Sequence, residues 1–404
     1  MPRAPKLLLL FALYFAEGLP FGLQQTALPI YLRGRGVSLT GIGLLGLLAA
    51  PWMLKVLWAP LVDRWGSARF GRRKSWIVPA MTGLGLTALG AIGLTPEHSL
   101  LPLLLAVLLM NFFAATMDIA VDGWAVELLT PKELGLGNAV QVVGYKAGLL
   151  CSGGLLVWLS ASLGFGVVLG GIGVAALLIA ALTALVPEGA TGPARPAEGA
   201  GLREIFGTLL RAVALRGAPL TLLVVATYKL GEAMADAMFA PMLVDRGLGA
   251  GEIGLFVGTY GMGFSVAGSL AGGLLATRLP VFRALAVTAT LRVLPLAAQL
   301  ALALGTVTST RVIATTAAEH FFGGALTTCL FAFMMGRVDR RIGATHYALL
   351  ATVEVLGKSP GAWASGLIAE HLGYGALYGL ALAVSVAFLG LLALARRQER
   401  PSPA

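Results

Sequence analysis

Ten ionisable side chains stand inside long apolar runs of this chain: Lys55, Asp118, Lys146, Lys229, Glu232, Asp236, Arg292, Glu319, Glu354 and Lys358. Asp118 and Asp122 are one helical turn apart, so on a helix they share a face, and two carboxyl groups held that close in a low dielectric resist double ionisation. Such a pair can carry a proton. The alternative is that Asp122 and Glu127 lie near a helix end and pair with Lys132 or loop arginines. Glu319 beside His320 offers a second proton relay, unless His320 is a packed, hydrogen-bonded ring. Glu354, on another apolar run, joins the candidates for proton coupling.

The lysines suggest a different chemistry. Lys146 has no acid within a turn of it in the sequence and suits a substrate carboxylate or phosphate. Lys55 either contacts substrate or anchors to Asp118 or Glu17 across helices. Lys229 has Glu232 three residues on and Asp236 seven on, and Glu354 stands four before Lys358. Each set either neutralises itself along its own helix or meets a solute. Gln24, Gln25, Asn111, Asn138 and Gln141 are uncharged groups for sugar hydroxyls or amides, or for bonds between helices. The four histidines and two cysteines lack metal-ligand spacing, and no cofactor motif is evident. Gly357-Lys358-Ser359 resembles the tail of a phosphate loop, but Thr352 stands where its first glycine is needed. A polytopic acyltransferase with His320 or His346 as base is the alternative from another class, and it predicts no internal repeat.

The elements that position these groups follow from composition. With 57% hydrophobic residues, 12% charged and a mean hydropathy of +0.86, the chain is an integral membrane protein. Twelve runs of bilayer-spanning length start near Leu7, Thr40, Trp76, Leu100, Leu134, Leu163, Pro219, Ile253, Leu279, Val312, Thr345 and Tyr374. Without two-residue alternation, they read as helices. Exposing all ten internal charges to lipid would cost about 25–35 kcal/mol at roughly 2.5–3.5 kcal/mol each, so they face a cavity, pair, or are neutral. Gly166/Gly170 and Gly268/Gly272 give small-residue spacing for close helix approach.

The expected organisation is two six-helix bundles, residues 1–186 and 218–404, joined by a Pro-, Gly- and Ala-rich linker, 187–217, that ends in a short amphipathic helix from Leu202 to Val213. Arg35-Gly36-Val37-Ser38-Leu39-Thr40-Gly41-Ile42-Gly43-Leu44 returns 211 residues later as Arg246-Gly247-Leu248-Gly249-Ala250-Gly251-Glu252-Ile253-Gly254-Leu255, a repeat expected of secondary transporters. The net charge of +10 is topological: twenty lysines and arginines fall on the side of the amino terminus and only Arg33, Arg35, Arg246 and Arg311 on the other. By the positive-inside rule both termini are cytoplasmic, the basic excess does not call for nucleic acid, and a bacterial inner membrane is the expected site. Cys151 and Cys329 sit in apolar spans as free packing thiols.

Leu61-Val62-Asp63-Arg64-Trp65-Gly66, followed by Gly71-Arg72-Arg73-Lys74, resembles the cytoplasmic loop signature of the major facilitator superfamily. Ser67 to Phe70 widen the usual spacing. A degenerate second copy, Gly273 to Arg278, has Thr277 in place of the acid. Within that superfamily Pro51-Trp52-Met53-Leu54-Lys55-Val56-Leu57-Trp58-Ala59-Pro60, Met117-Asp118-Ile119-Ala120-Val121-Asp122-Gly123-Trp124 and Val143-Gly144-Tyr145-Lys146-Ala147-Gly148 are similar to the AmpG-type muropeptide permease and acetyl-coenzyme A transporter family. The overall impression is nearest its orphan eukaryotic facilitators. Tyr228 to Glu232 and Ala344 to Tyr347 resemble it more loosely. The resemblance implies an all-α membrane protein with twelve transmembrane helices in two six-helix repeats. Spans one, four, seven and ten would line a cavity, bringing together Glu17, Asp118, Asp122, Lys229, Glu232, Asp236, Glu319 and His320. It further implies a conformational gate of Asp63, Arg64, Gly66, Arg72 and Arg73. The function implied is transport of a polar, anionic solute, muropeptide-like or acyl-coenzyme A-like, by a monomer that alternates access under a proton gradient. Uniport or solute exchange is the alternative on the same fold.

Overall fold

The computed structural model describes residues 3–24, 28, 44–67, 69–94, 96–188, 202–214 and 217–399, and among them the chain is almost wholly helical. In chain order the helices are α1 (Arg3–Gly22), α2 (Ala50–Leu54), α3 (Ala59–Arg64), α4 (Lys74–Gly90), α5 (Pro96–Leu128), α6 (Leu134–Leu150), α7 (Leu156–Leu163) and α8 (Gly166–Leu185). There follow α9 (Leu202–Ala214), α10 (Ala218–Thr227), α11 (Leu230–Asp245), α12 (Ala250–Ile253), α13 (Gly261–Arg278), α14 (Val281–Leu304), α15 (Ser309–Arg337) and α16 (Gly343–Glu399).

Six of these helices are singly long and apolar enough to cross a bilayer. One of the six is α16, which covers 57 residues and turns at Gly373, where φ is 81°. Only glycine adopts that backbone without strain, and the break separates the eleventh expected span from the twelfth. Other expected spans are helical pieces in series. A π-helical turn at Cys151–Leu155 joins α6 to α7, another at Gly254–Tyr260 joins α12 to α13, and α10 and α11 meet at Tyr228 and Lys229. Lipid enforces this architecture, because a helix is the form in which each segment satisfies its own backbone. Large apolar side chains also point outward: on α8, Leu178, Leu182 and Leu185 are 60%, 62% and 80% exposed, a face suited to acyl chains and not to water. The expected amphipathic segment is α9, with Glu204 in its first turn and Arg211 in its last, the order its dipole favours. Thr40 and the first copy of the ten-residue repeat up to Gly43 lie outside the described residues, as do linker residues 189–201, 215 and 216.

The chain forms two compact units. The first gathers 1–130, 140–209 and 338–352; the second gathers 131–139, 210–337 and 353–404. In the first, α1 and α6 pack backbone to backbone. A Cβ on Gly18 would lie 2.1 Å from the Tyr145 carbonyl oxygen, and one on Gly148 would lie 2.0 Å from that of Phe15. The second unit repeats the arrangement, with Gly357 against Ala226 and Gly361 against Leu230. Gly268 and Gly272 seat α13 on Phe321 and Ala325 of α15, while Gly166 and Gly170 meet Ile92. Each unit has its own apolar core. Leu19, Leu84, Val107, Met110, Val168 and Ile172 mark the first, and Phe239, Met242, Leu296, Val312, Leu377 and Tyr378 the second.

Candidate functional site

In the first unit, Pro51 and Pro60 break what would otherwise be one helix into α2, a tight turn at Lys55–Leu57, and α3. The turn carries Lys55, only 6% exposed, directly onto Asp118 of α5 in a close ion pair. Its ammonium also lies 5.5 Å from the centre of the Trp52 ring. Asp118 lies against both Glu17 of α1 and Asp122, its neighbour one turn on. Asp122 accepts hydrogen bonds from the Tyr14 hydroxyl at 2.8 Å and from Gln141 Nε2 at 3.3 Å. Glu17 Oε2 is buried without a partner. Three buried carboxyl groups therefore crowd together with Lys55 seated on one of them, a repulsion that a bound proton or a cationic visitor would relieve.

Beside this cluster runs a neutral chain of amides. Trp52 Nε1 donates to Asn111 Oδ1 at 3.0 Å, Asn111 Nδ2 to Gln24 Oε1 at 2.8 Å, and Gln24 Nε2 to the Leu45 carbonyl at 3.0 Å. Those side chains satisfy one another and tie helices together. Asn138 is elsewhere: it donates to the Leu134 carbonyl and meets Met335 Sδ in the second unit. Lys146 is half-buried on α6, one residue beyond Tyr145, whose ring lies 5.7 Å from that of Phe21. Gln25 lies outside the described residues.

The second unit holds a more evenly paired cluster. Arg292 of α14 donates from Nε to Glu232 Oε2 at 2.8 Å and from Nη2 to Glu319 Oε1 at 2.6 Å, with Asp236 at 3.9 Å. Lys229 reaches Glu232 at 3.1 Å, and His320 Nδ1 abuts Glu319 Oε2. Nearby, Lys358 pairs with Glu354 at 2.8 Å along α16, and Tyr228 donates to the same carboxylate at 2.7 Å. Carboxylate oxygens of Glu232, Asp236 and Glu319 lie within 4.8 Å of one another, a spacing a metal could use. The Arg292 guanidinium already sits on all three. Every acid here has a cation beside it.

A third cluster gathers around Asp63, at the end of α3. Asp63 accepts Arg73 Nη2 at 3.0 Å, the Ala344 and Thr345 backbone N–H groups at 3.2 and 2.7 Å, and the Thr345 hydroxyl at 2.7 Å. It is a charged cap on the first turn of α16. Arg73 also donates to Glu127 Oε1 at 2.6 Å, as does Arg72. Burial pulls the Arg73 guanidinium down, but the Glu127 and Asp63 carboxylates outweigh it and hold the group above its ordinary value. Glu188 accepts the Arg73 and Lys74 N–H groups, both at 3.0 Å, capping α4, and Lys74 Nζ returns to the carbonyls of Ala184 and Val186. A Cβ on Gly66 would come within 2.5 Å of Arg72 Cγ, so that glycine lets the loop close. Arg64 points away, with its guanidinium 5.4 Å from the Trp65 ring centre. Farther along, Arg341 holds the Asp339 carboxyl below the usual carboxylate range.

Most of these charged groups stand out in the sequence, but the hubs do not. Arg292 is there only one internal charge among ten, Tyr14 and Glu188 carry no sequence signal of their roles, and Tyr228 stands in the Tyr228 to Glu232 stretch that resembles the family loosely. Thr345 lies within the Ala344 to Tyr347 stretch that bears the family resemblance; nothing in the sequence marks Glu188.

Comparison with known proteins places these clusters in context. A family model described as acetyl-coenzyme A transporter 1 matches residues 6–163. The anhydromuropeptide permease of Escherichia coli K12 is 33% identical over 412 residues, covering 98% of this chain and 80% of the relative. The putative transporter AmpG 4 of Rickettsia conorii is 24% identical over 392 residues, 94% of each chain. Among solved structures, the fucose:proton symporter FucP of E. coli matches with a TM-score of 0.75 at 15% identity, over 98% of this chain and 99% of that one. At that identity the match speaks for fold alone.

Proposed function

Because the chain belongs to the AmpG-type permeases of the major facilitator superfamily, a family of multi-pass membrane transporters, we propose that it carries an anhydromuropeptide-like solute by proton-coupled alternating access. The observation that carries the coupling is the crowding of Glu17, Asp118 and Asp122 around the Lys55 pair. A carboxyl group lying against a carboxylate needs a proton between them, and a buried site crowded with acids is where a transported proton is worth most. Membership sets aside the acyltransferase reading, since the relatives are permeases.

The substrate assignment rests on the breadth of similarity. The anhydromuropeptide permease matches 98% of the chain, whereas the acetyl-coenzyme A transporter model matches 6–163 only. An amino-sugar peptide offers carboxylates for Lys146 and Lys229, and amides and hydroxyls for Gln141. We read 1–186 and 218–404 as two helical halves joined by 187–217, with both termini cytoplasmic, working as a monomer in a bacterial inner membrane.

Purified protein in proteoliposomes should accumulate labelled anhydromuropeptide under an inward proton gradient and lose the accumulation when an ionophore is added. Equal accumulation without a gradient would replace coupling by uniport or exchange. Lys146→Met should abolish uptake without loss of folded protein; normal uptake by that variant would make Lys146 structural.

Asp63 is the proposed latch, holding the start of α16 until transport releases it. Asp63→Asn keeps one acceptor oxygen but loses the charge facing Arg73 and the helix terminus, a loss of about 1–2 kcal/mol. Amide hydrogen exchange over 343–349 should then quicken by roughly tenfold or more. Unchanged protection there would mean that the cap does not hold α16.

A further inference from the structure

Deep in the second unit, several polar atoms are buried without partners. Gln299 on α14 is fully buried, and neither its Oε1 nor its Nε2 has a hydrogen-bond partner. Arg292 Nη1, Thr316 Oγ1 on α15 and the Tyr378 hydroxyl on α16 are in the same condition. Thr288 and Thr327, by contrast, spend their hydroxyls on the carbonyl four residues back. Pro295, buried between Arg292 and Gln299, has no N–H to give the Leu291 carbonyl, which adds an acceptor on this helix.

These groups are aligned. Arg292 and Gln299 are two turns apart on one face of α14, about 10 Å along its axis. The Arg292 to Glu319 bond fixes how α14 and α15 lie alongside. Because the two run antiparallel, Thr316 falls between the levels of Arg292 and Gln299. Tyr378 packs in the same apolar cluster as Leu296 and Leu302, which flank Gln299 along α14, and Val312 of α15. One turn before Tyr378, Tyr374 donates to Asp245 at 2.6 Å on the exposed end of the unit. Buried polar groups in native proteins almost always find a partner, and where protein supplies none, ordered water does.

We propose that the second unit binds a file of buried water running from the exposed Tyr374 and Asp245 pair, past Tyr378, Gln299 and Thr316, to the free nitrogen of Arg292. The ligand is water alone, and the proposal does not depend on the proton-coupling reading. Such a file would let the Arg292 cluster exchange protons with the Leu304 end of α14 while Leu296, Leu302 and Val312 exclude larger solutes. It also gives the paired amide of Gln299 a reason to exist in an apolar core, since one water can donate to its oxygen and another accept from its nitrogen.

Radiolytic footprinting tests this on the intact protein in detergent, because hydroxyl radicals made from bound water oxidise side chains that bulk solvent never reaches. Tyr378, with no exposed surface, should be oxidised well above Met81, which is equally buried and chemically more reactive. The Gln299→Leu/Thr316→Val variant should bring Tyr378 down to the Met81 background while the protein keeps its melting temperature within a few degrees. Tyr378 labelled no faster than Met81 in the unaltered protein would overturn the proposal. So would labelling that persists in the double variant, or a marked rise in melting temperature of Gln299→Leu, the response of a dry site relieved of an unpartnered amide.

Discussion

Asp118→Asn is expected to abolish gradient-driven accumulation in proteoliposomes while leaving exchange of substrate for substrate largely intact. Asparagine mimics a protonated acid that never releases its proton, so a cycle that moves no net proton can continue and one that must discharge cannot. The charge count explains why this acid matters most. Asp118 lies against Glu17, Asp122 and Lys55, and is the member that touches all the others. Removing its charge leaves Glu17 and Asp122 beside Lys55, and Lys55 keeps a nearby carboxylate, so folding should survive. Accumulation would fall to the level set by equilibration, a loss of up to about tenfold if a pH difference of one unit drives one proton per solute. Loss of exchange as well would assign Asp118 to folding or to substrate binding. Retained accumulation would move the coupling proton to another acid, and Glu17→Gln and Asp122→Asn are then the variants to compare.

Much of that cluster is legible in the amino-acid sequence, and the reason is local. The four-residue spacing of Asp118 and Asp122 fixes their shared face whatever else the chain does. The Glu354 and Lys358 pair is readable for the same reason, and the structure joins them at 2.8 Å. Partners set by tertiary packing are not readable in this way. Lys55 and Asp118 are 63 positions apart, Arg292 and Glu232 are 60 apart, and Asp63 and Thr345 are 282 apart. No periodicity links such residues. The breaks in the helices are only partly legible. Pro51 and Pro60 announce one, but the π-turn at Cys151–Leu155 arises in a run of Gly, Ser and Leu whose composition does not choose between α and π backbone. Nor does composition reveal that Glu188, the second residue of a Pro- and Gly-rich linker, caps α4.

Arg292→Met should cause the largest loss of stability of any single change in the second unit. Arg292 is 2% exposed and bonded to both Glu232 and Glu319, and methionine fills much the same space without the charge. Removing one partner from a buried ionic network strands the others, a cost of about 3–5 kcal/mol. Lys229 on Glu232 and His320 on Glu319 soften this, which argues for the lower end of that range. A loss of about 3 kcal/mol corresponds to a melting point roughly 6–12 °C lower for a unit of this size. Lysine should not substitute, because Glu232 and Glu319 are engaged by different nitrogens of one planar fork, and an ammonium is a single point charge. The decisive comparison is Arg292→Met/Glu319→Gln. It removes the stranded acid and leaves the Lys229 and Glu232 pair in place, so it should recover a large part of the lost melting temperature. If the double variant is no more stable than Arg292→Met alone, the two residues are not coupled. A stable Arg292→Met protein that fails to bind solute would instead make this guanidinium the contact for the solute carboxylate.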